Sequence, residues 1–173
     1  MHIITGGNRR MKDFEIQQVK QAILNEVEGY EFYKLAMSQA KNDDVRAAFE
    51  NLANEELKHV QWLTELFEKL KDGKDDSYKL ATMPELPQMG IFKWDNIDRN
   101  NAGLAVSVFG IGMQMEEASV KFYKEASEKT NIADARKLYN ILAEWEQVHY
   151  EQFAKEYESL KKEWWSDQSY APF

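Results

Sequence analysis

Glu56 and His59 stand three residues apart, and so do Glu146 and His149. On a helix that spacing puts both side chains on one face, one turn apart, where a carboxylate oxygen and an imidazole nitrogen can reach one cation. The sequence has three histidines, and only His2 lies outside these motifs. Thirty positions before each motif glutamate stands another, Glu26 before Glu56 and Glu116 before Glu146. Four carboxylates and two neutral imidazoles balance two divalent ions and form the donor set of a dinuclear carboxylate site. In that reading Glu26 and Glu116 are terminal ligands on opposite metals, Glu56 and Glu146 bridge, and His59 and His149 cap one metal each. Oxygen donors with imidazole suit two iron ions, with manganese or zinc as alternatives.

The triplets Glu26/Glu56/His59 and Glu116/Glu146/His149 are offset by ninety positions, and the offset carries further identities. Among them are Phe32/Phe122, Tyr33/Tyr123, Lys34/Lys124, Ala36/Ala126, Asp44/Asp134, Arg46/Arg136, Leu52/Leu142 and Leu70/Leu160. This is an internal repeat of a helical hairpin. A single Glu-x-x-His in a Glu-rich helix is ordinarily a solvated face. Here two motifs and two lone glutamates share one offset, and each member falls in an apolar stripe. Four carboxylates buried without a metal or protons would be prohibitively costly.

The elements that must carry these residues follow from the spacing of apolar residues. A first helix is expected from Asp13, a plausible N-cap, to about Ala40, with Val19, Ile23, Tyr30, Tyr33 and Met37 facing inward around Glu26. Lys41–Asp44 reads as a short turn with capping residues. A second helix to about Lys71 has the stripe Phe49, Leu52, Glu56, His59, Leu63, Leu66 and Leu70. A third, about Ala102–Lys129, has Val106, Phe109, Met113, Glu116, Val120 and Tyr123. After Thr130-Asn131 a fourth runs to about Trp164 with Leu138, Leu142, Glu146, His149, Phe153 and Leu160. Glu55 and Glu117, each beside a candidate ligand, lie about 100° round the helix and are expected to face elsewhere.

Between the halves, residues 72–100 contain Pro84 and Pro87, which preclude one continuous helix. This stretch reads as a full-length crossover, packed down through Met89, Ile91, Phe92 and Trp94. The fold expected is all-α: a four-helix bundle over residues 13–164, made of two repeated hairpins joined by that crossover. Residues 1–12 read as a disordered lead-in. Residues 165–173 read as an aromatic tail that packs on the bundle or on a second subunit.

Composition narrows the function classes. With 173 residues, 43% of them hydrophobic, the chain can bury one compact core. The net charge of −8, without a basic cluster, argues against nucleic acid and anionic membranes. No apolar run approaches the roughly twenty residues of a membrane span, and the first residues lack a signal-peptide core. The absence of cysteine excludes disulfides, iron–sulfur clusters and Cys-based zinc sites within these residues, and a cytoplasmic location is the default.

Over residues 15–70 and 105–160 the sequence resembles the rubrerythrin branch of the ferritin-like superfamily. The resemblance is carried by Glu26 with Tyr33 in Glu-Val-Glu-Gly-Tyr-Glu-Phe-Tyr, by Glu56/His59, by Glu116 with Tyr123 in Glu-Glu-Ala-Ser-Val-Lys-Phe-Tyr, and by Glu146/His149. It implies a ferritin-like bundle with a non-haem di-iron site that reacts with hydrogen peroxide or dioxygen. It further implies a cytoplasmic homo-oligomer, such as a dimer, with a role in oxidative-stress defence or iron handling. Tyr33 and Tyr123, seven residues beyond their glutamates, are expected to reach a carboxylate of a partner helix or to pack in the core. Two departures stand out. Without the cysteines of a rubredoxin domain, reduction would need an external electron donor, and Ser119 occupies the position where rubrerythrins usually carry a second glutamate. Two alternatives share the same residues: an iron-storage or iron-sensing protein without multiple turnover, and a dimanganese catalase.

Overall fold

The computed structural model describes residues 5–41, 43–72 and 102–168. They form four helices: α1 (Thr5–Gln39), α2 (Asp43–Asp72), α3 (Ala102–Lys129) and α4 (Ala133–Asp167). The expected crossover over residues 72–100, with Met89, Ile91, Phe92 and Trp94, falls almost wholly outside the described residues. So does most of the expected tail. Among the described residues no helix is long and apolar enough to cross a membrane.

Two helix ends differ from the expectation. α1 begins at Thr5, so Asp13 is an interior residue and no cap, and the lead-in expected over residues 1–12 is helical from Thr5. No proline interrupts residues 5–12, and Arg9, Arg10, Met11 and Lys12 are all good helix formers, so the helix propagates backward through them. α4 continues through Trp165 to Asp167, since nothing in Trp164–Asp167 breaks a helix.

The repeat is visible in how each hairpin turns. The backbone N–H of Ala40 bonds the Ala36 carbonyl at 3.1 Å, and that of Thr130 bonds the Ala126 carbonyl at 3.0 Å. Helix C-termini leave carbonyls without intrahelical partners. Here an arginine from the following helix supplies the donors. Arg46 reaches the Ala40 carbonyl at 3.1 Å, and Arg136 reaches that of Thr130 at 2.6 Å. Arg136 also donates from Nε to the Ser127 carbonyl at 3.1 Å. The identity Arg46/Arg136 is therefore a shared device for closing a three-residue turn. One tie has no counterpart in the repeat. The buried carboxylate of Glu15, on α1, accepts from Thr130 Oγ1 at 2.7 Å and from the Asn131 backbone N–H at 3.2 Å, locking the first hairpin to the second.

Within each hairpin the helices pack closely, α1 on α2 and α3 on α4, while the two hairpins approach chiefly through α1 and α3. The wider gap between hairpins is filled by long side chains arranged in three layers. One apolar cluster contains Val19, Ala22, Leu63, Leu66, Leu70, Tyr123, Leu138, Tyr139 and Leu142. A second, at the other end, contains Tyr33, Ala36, Phe49, Leu52, Phe109, Phe153 and Leu160. Between them lie the buried polar residues Glu26, Glu56, His59, Glu116, Glu146 and His149. The expected stripes of α2 and α4 are buried throughout. On α1 the inward face is rotated slightly, through Ala22 and Ala36, and leaves Ile23, Tyr30 and Met37 half-buried.

Candidate metal centre

Each helix brings its donors to the middle layer by position along its length. Glu26 follows Val19 by two turns and Ala22 by one. Glu56 and His59 sit between Leu52 and Leu63. Glu116 lies between Phe109 and Tyr123, and Glu146 and His149 lie between Leu142 and Phe153. All six are at least 97% buried.

The donors converge as two overlapping quartets. Glu26, Glu56, His59 and Glu146 each offer an atom within 4.8 Å of the others, and so do Glu56, Glu116, Glu146 and His149. Glu56 and Glu146 belong to both groups. The remaining members form one lone glutamate and one histidine per group, as the twofold repeat requires. The structure thus brings together all six candidate ligands named from the sequence.

The geometry asks for more positive charge than protons supply well. Nδ1 of His59 faces oxygens of Glu26 at 3.1 Å, Glu146 at 3.0 Å and Glu56 at 3.5 Å. One N–H can point at only one of them. Nδ1 of His149 faces Glu56, Glu116 and Glu146 at 3.6, 3.7 and 3.5 Å, beyond ordinary hydrogen bonds. It has no partner, and neither does Oε1 of Glu56, both fully buried. Lone pairs left facing one another in a dry layer suit a cation bound among them. A carboxylate and imidazole set, with no thiolate, suits iron, manganese or zinc.

Protons replace that charge when no metal is bound. Burial, together with the charges of Glu146 and Glu26, holds the Glu56 carboxyl well above its ordinary range. Burial and Glu146 push Glu116 up to about 8. Glu146 goes the other way. Burial opposes its ionisation, but the facing groups Glu116, His149 and His59 hold it well below the usual range, so it stays ionised. Burial would lower both histidines. Glu146 and Glu26 outweigh it at His59, and Glu116 and Glu146 outweigh it at His149, so both are raised well above 6.5.

The two tyrosines cross between hairpins. Tyr33 on α1 donates to Oε1 of Glu116 on α3, and Tyr123 on α3 donates to Oε1 of Glu26 on α1. Both phenols are fully buried, and burial beside carboxylates raises their pKa well above 10, so each remains a donor.

One expectation is overturned. Glu55 does not face elsewhere: its Oε2 lies 2.8 Å from Nε2 of His149, and only 15% of its side chain is exposed. Glu55 lies about 100° round the helix from Glu56, but that flank of α2 turns toward His149 on α4. Glu117 remains exposed, as expected. Trp145, also missed, is buried with its ring perpendicular to His59 at 5.3 Å between centroids. The repeat held a signal for both, since position 55 carries Glu where position 145 carries Trp.

Comparison with known proteins places this architecture. A solved structure of a hypothetical protein from Pyrococcus furiosus has the same fold, with a TM-score of 0.65 at 23% identity, covering 86% of this chain and 90% of the other. No curated protein matches the sequence. The rubrerythrin family's sequence profile matches residues 18–157, which include every residue of both quartets. The chain therefore belongs to the rubrerythrin family.

Proposed function

We propose that this protein is a non-haem di-iron oxidoreductase of rubrerythrin type, acting on hydrogen peroxide or dioxygen. The observation that carries the reading is the pair of overlapping quartets with buried, unpartnered donor atoms. Glu26 and His59 would hold one ion and Glu116 and His149 the other, with Glu56 and Glu146 shared between them. Two ferrous ions bound there, each giving up one electron, would supply the two electrons that, with two protons, convert one hydrogen peroxide to two waters.

This chain's residues have three tasks in that chemistry. The apolar clusters on either side exclude bulk water from the polar layer, which strengthens the electrostatics within it. The phenols of Tyr33 and Tyr123 fix the outer oxygens of Glu116 and Glu26, leaving the opposite oxygens directed inward. Glu116, pushed up to about 8, retains its proton at neutral pH in the metal-free layer, Glu56 is raised in the same direction, and cations that bind there displace such protons. Re-reduction falls to an external electron donor, since the sequence has no cysteine to hold a second redox centre of rubredoxin type. A cytoplasmic homodimer is the setting that accompanies this reading.

The test is metal content of protein from its native host, followed by peroxide consumption under a supplied reductant. About two irons per chain with many turnovers is the expected result. Iron uptake followed by a single turnover would instead favour storage or sensing. Two manganese ions with oxygen release would favour a catalase. Metal-replete protein holding less than one ion per chain would sink the dinuclear reading.

A further inference from the structure

The internal repeat makes the two metal positions near-equivalent in their inner donors, but their histidines are held differently. Glu55 and Trp145 occupy the same position in the two halves, each just before a shared glutamate. On one side, Glu55 from α2 places Oε2 at 2.8 Å from Nε2 of His149 on α4. On the other, Trp145 from α4 sets its indole perpendicular to the imidazole of His59 on α2. An indole offers no acceptor. Nε2 of His59 is accordingly buried without a partner, as is Nε1 of Trp145. Trp62 flanks the same imidazole, its ring centroid 5.5 Å away, and adds apolar surface there.

Both histidines turn Nδ1 toward the carboxylates, so in each the proton of the neutral ring must sit on Nε2 when Nδ1 binds a cation. Glu55 accepts that proton's hydrogen bond. It thereby fixes the tautomer and orientation of His149 and raises the basicity of Nδ1. His59 reaches the same tautomer only by leaving a buried N–H unsatisfied, a penalised arrangement. We infer that Glu55 is a positioning residue that makes the metal position capped by His149 the tighter of the two. The chain then fills in order: the Glu56/Glu116/Glu146/His149 quartet first and the Glu26/Glu56/His59/Glu146 quartet second. The inference rests on the dinuclear reading above and adds to it a sequence of loading.

The experiment is titration of the metal-free full chain with cobalt(II), followed by calorimetry and by cobalt d–d absorption, with no turnover required. The wild type should bind two ions in two steps at least about tenfold apart, the effect typical of an outer carboxylate on a ligating histidine. Glu55→Ala should weaken the first step by about 10–100-fold and leave the second unchanged, bringing the two together. Glu55→Gln, whose amide oxygen still accepts from Nε2, should recover part of the loss. His149→Ala should abolish the tight step and His59→Ala the weak one. A wild type that binds both ions in one unresolved step overturns the loading order. So does a Glu55→Ala variant that shifts neither step, or shifts both equally. A wild type that takes up no cobalt overturns the metal-centre reading and this inference with it, so the two failures are distinguishable.

Discussion

Tyr33 on α1 donates its phenolic proton to Glu116 on α3, and ninety residues later Tyr123 on α3 donates to Glu26 on α1. These reciprocal bonds run between α1 and α3, the pair through which the hairpins chiefly approach, so they tie the halves together as well as orienting two carboxylates. Replacing Tyr33 or Tyr123 by Phe removes one donor and leaves a buried oxygen without a partner. Each variant should lose about 1–3 kcal/mol of stability in the metal-free state, the usual cost of such an orphan. Denaturant unfolding checks this. The two losses should be similar, and metal stoichiometry should remain two. A loss from one tyrosine only would mean that the bonds are not equivalent.

The pH dependence of the metal-free protein follows from its displaced ionisations. Glu116 titrates at about 8 when folded, against 4.5 when unfolded, because of burial and the charge of Glu146. Glu56 is raised too, by burial, Glu146 and Glu26. Between these values the folded chain holds protons that the unfolded chain has released, so stability falls as pH rises through about 8. His59 and His149 act in the same direction: their contribution is complete below 6.5 and is lost as pH rises past it. Glu146 opposes them only at lower pH, because its depressed value gives stability that is lost as pH falls below 4.5. The melting temperature of metal-free protein should therefore decline from pH 5 to pH 8. Cations displace the same protons, so their affinity should rise across that window. A metal-free melting temperature that rises steadily to pH 8 would contradict the assignment.

Much of the centre is legible in the sequence because two periodicities coincide. The three-residue spacing fixes a helical face, and the ninety-residue repeat shows that the spacing occurs twice with the same upstream glutamate. What stays hidden depends on the neighbouring helix. Glu55 sits on the flank of α2, outside the single stripe that a lone helix would bury. In a bundle, α4 covers that flank as well, and the wheel of α2 alone contains no information about where α4 lies. Trp145 is the same case seen from α4. Glu15 is hidden for a different reason. Its partners, Thr130 and Asn131, lie more than a hundred residues away, and no local pattern marks a buried glutamate that caps another hairpin's turn. The start of α1 at Thr5 is not marked in the sequence, because Asp13 looks like a cap and Gly6-Gly7 upstream of it are poor helix formers.

Gly112 tests how tightly the cluster beside the centre is packed. A Cβ added there would lie 2.7 Å from Cε1 of Phe153 and 3.0 Å from its Cδ1. Phe153 cannot yield freely, since its ring stacks on Tyr33 at 5.7 Å with an interplanar angle of 12°. Gly→Ala inside a helix ordinarily gains about 0.5–1 kcal/mol. Overpacking a core costs about 1–3 kcal/mol and should prevail here. Gly112→Ala should lower the melting temperature, whereas Gly103→Ala, with open space around it, should not. Equal behaviour of the two variants would show that the cluster relaxes around the added methyl.

The shared carboxylates make the sharpest demand on the dinuclear reading, because two properties should move in opposite directions. Glu56 and Glu146 belong to both quartets, whereas Glu26 and Glu116 belong to one each. Removing a shared ligand should therefore impair both ions, and removing a lone glutamate chiefly one. Glu56→Ala or Glu146→Ala should lower metal content strongly, while Glu26→Ala or Glu116→Ala should leave about one ion per chain. Glu117→Ala, on the exposed face, should keep both. Stability without metal should respond inversely. Glu56 sits in a dry layer among three other carboxylates, and Oε1 has no partner there. Glu56→Gln removes the ionisable group while preserving its shape, so metal-free protein should melt higher than the wild type and gain less when metal is added. Elemental analysis and paired melting curves read both effects. If Glu56→Gln destabilised the metal-free protein yet bound a full metal complement, Glu56 would be a structural hydrogen-bonding residue and not a shared ligand.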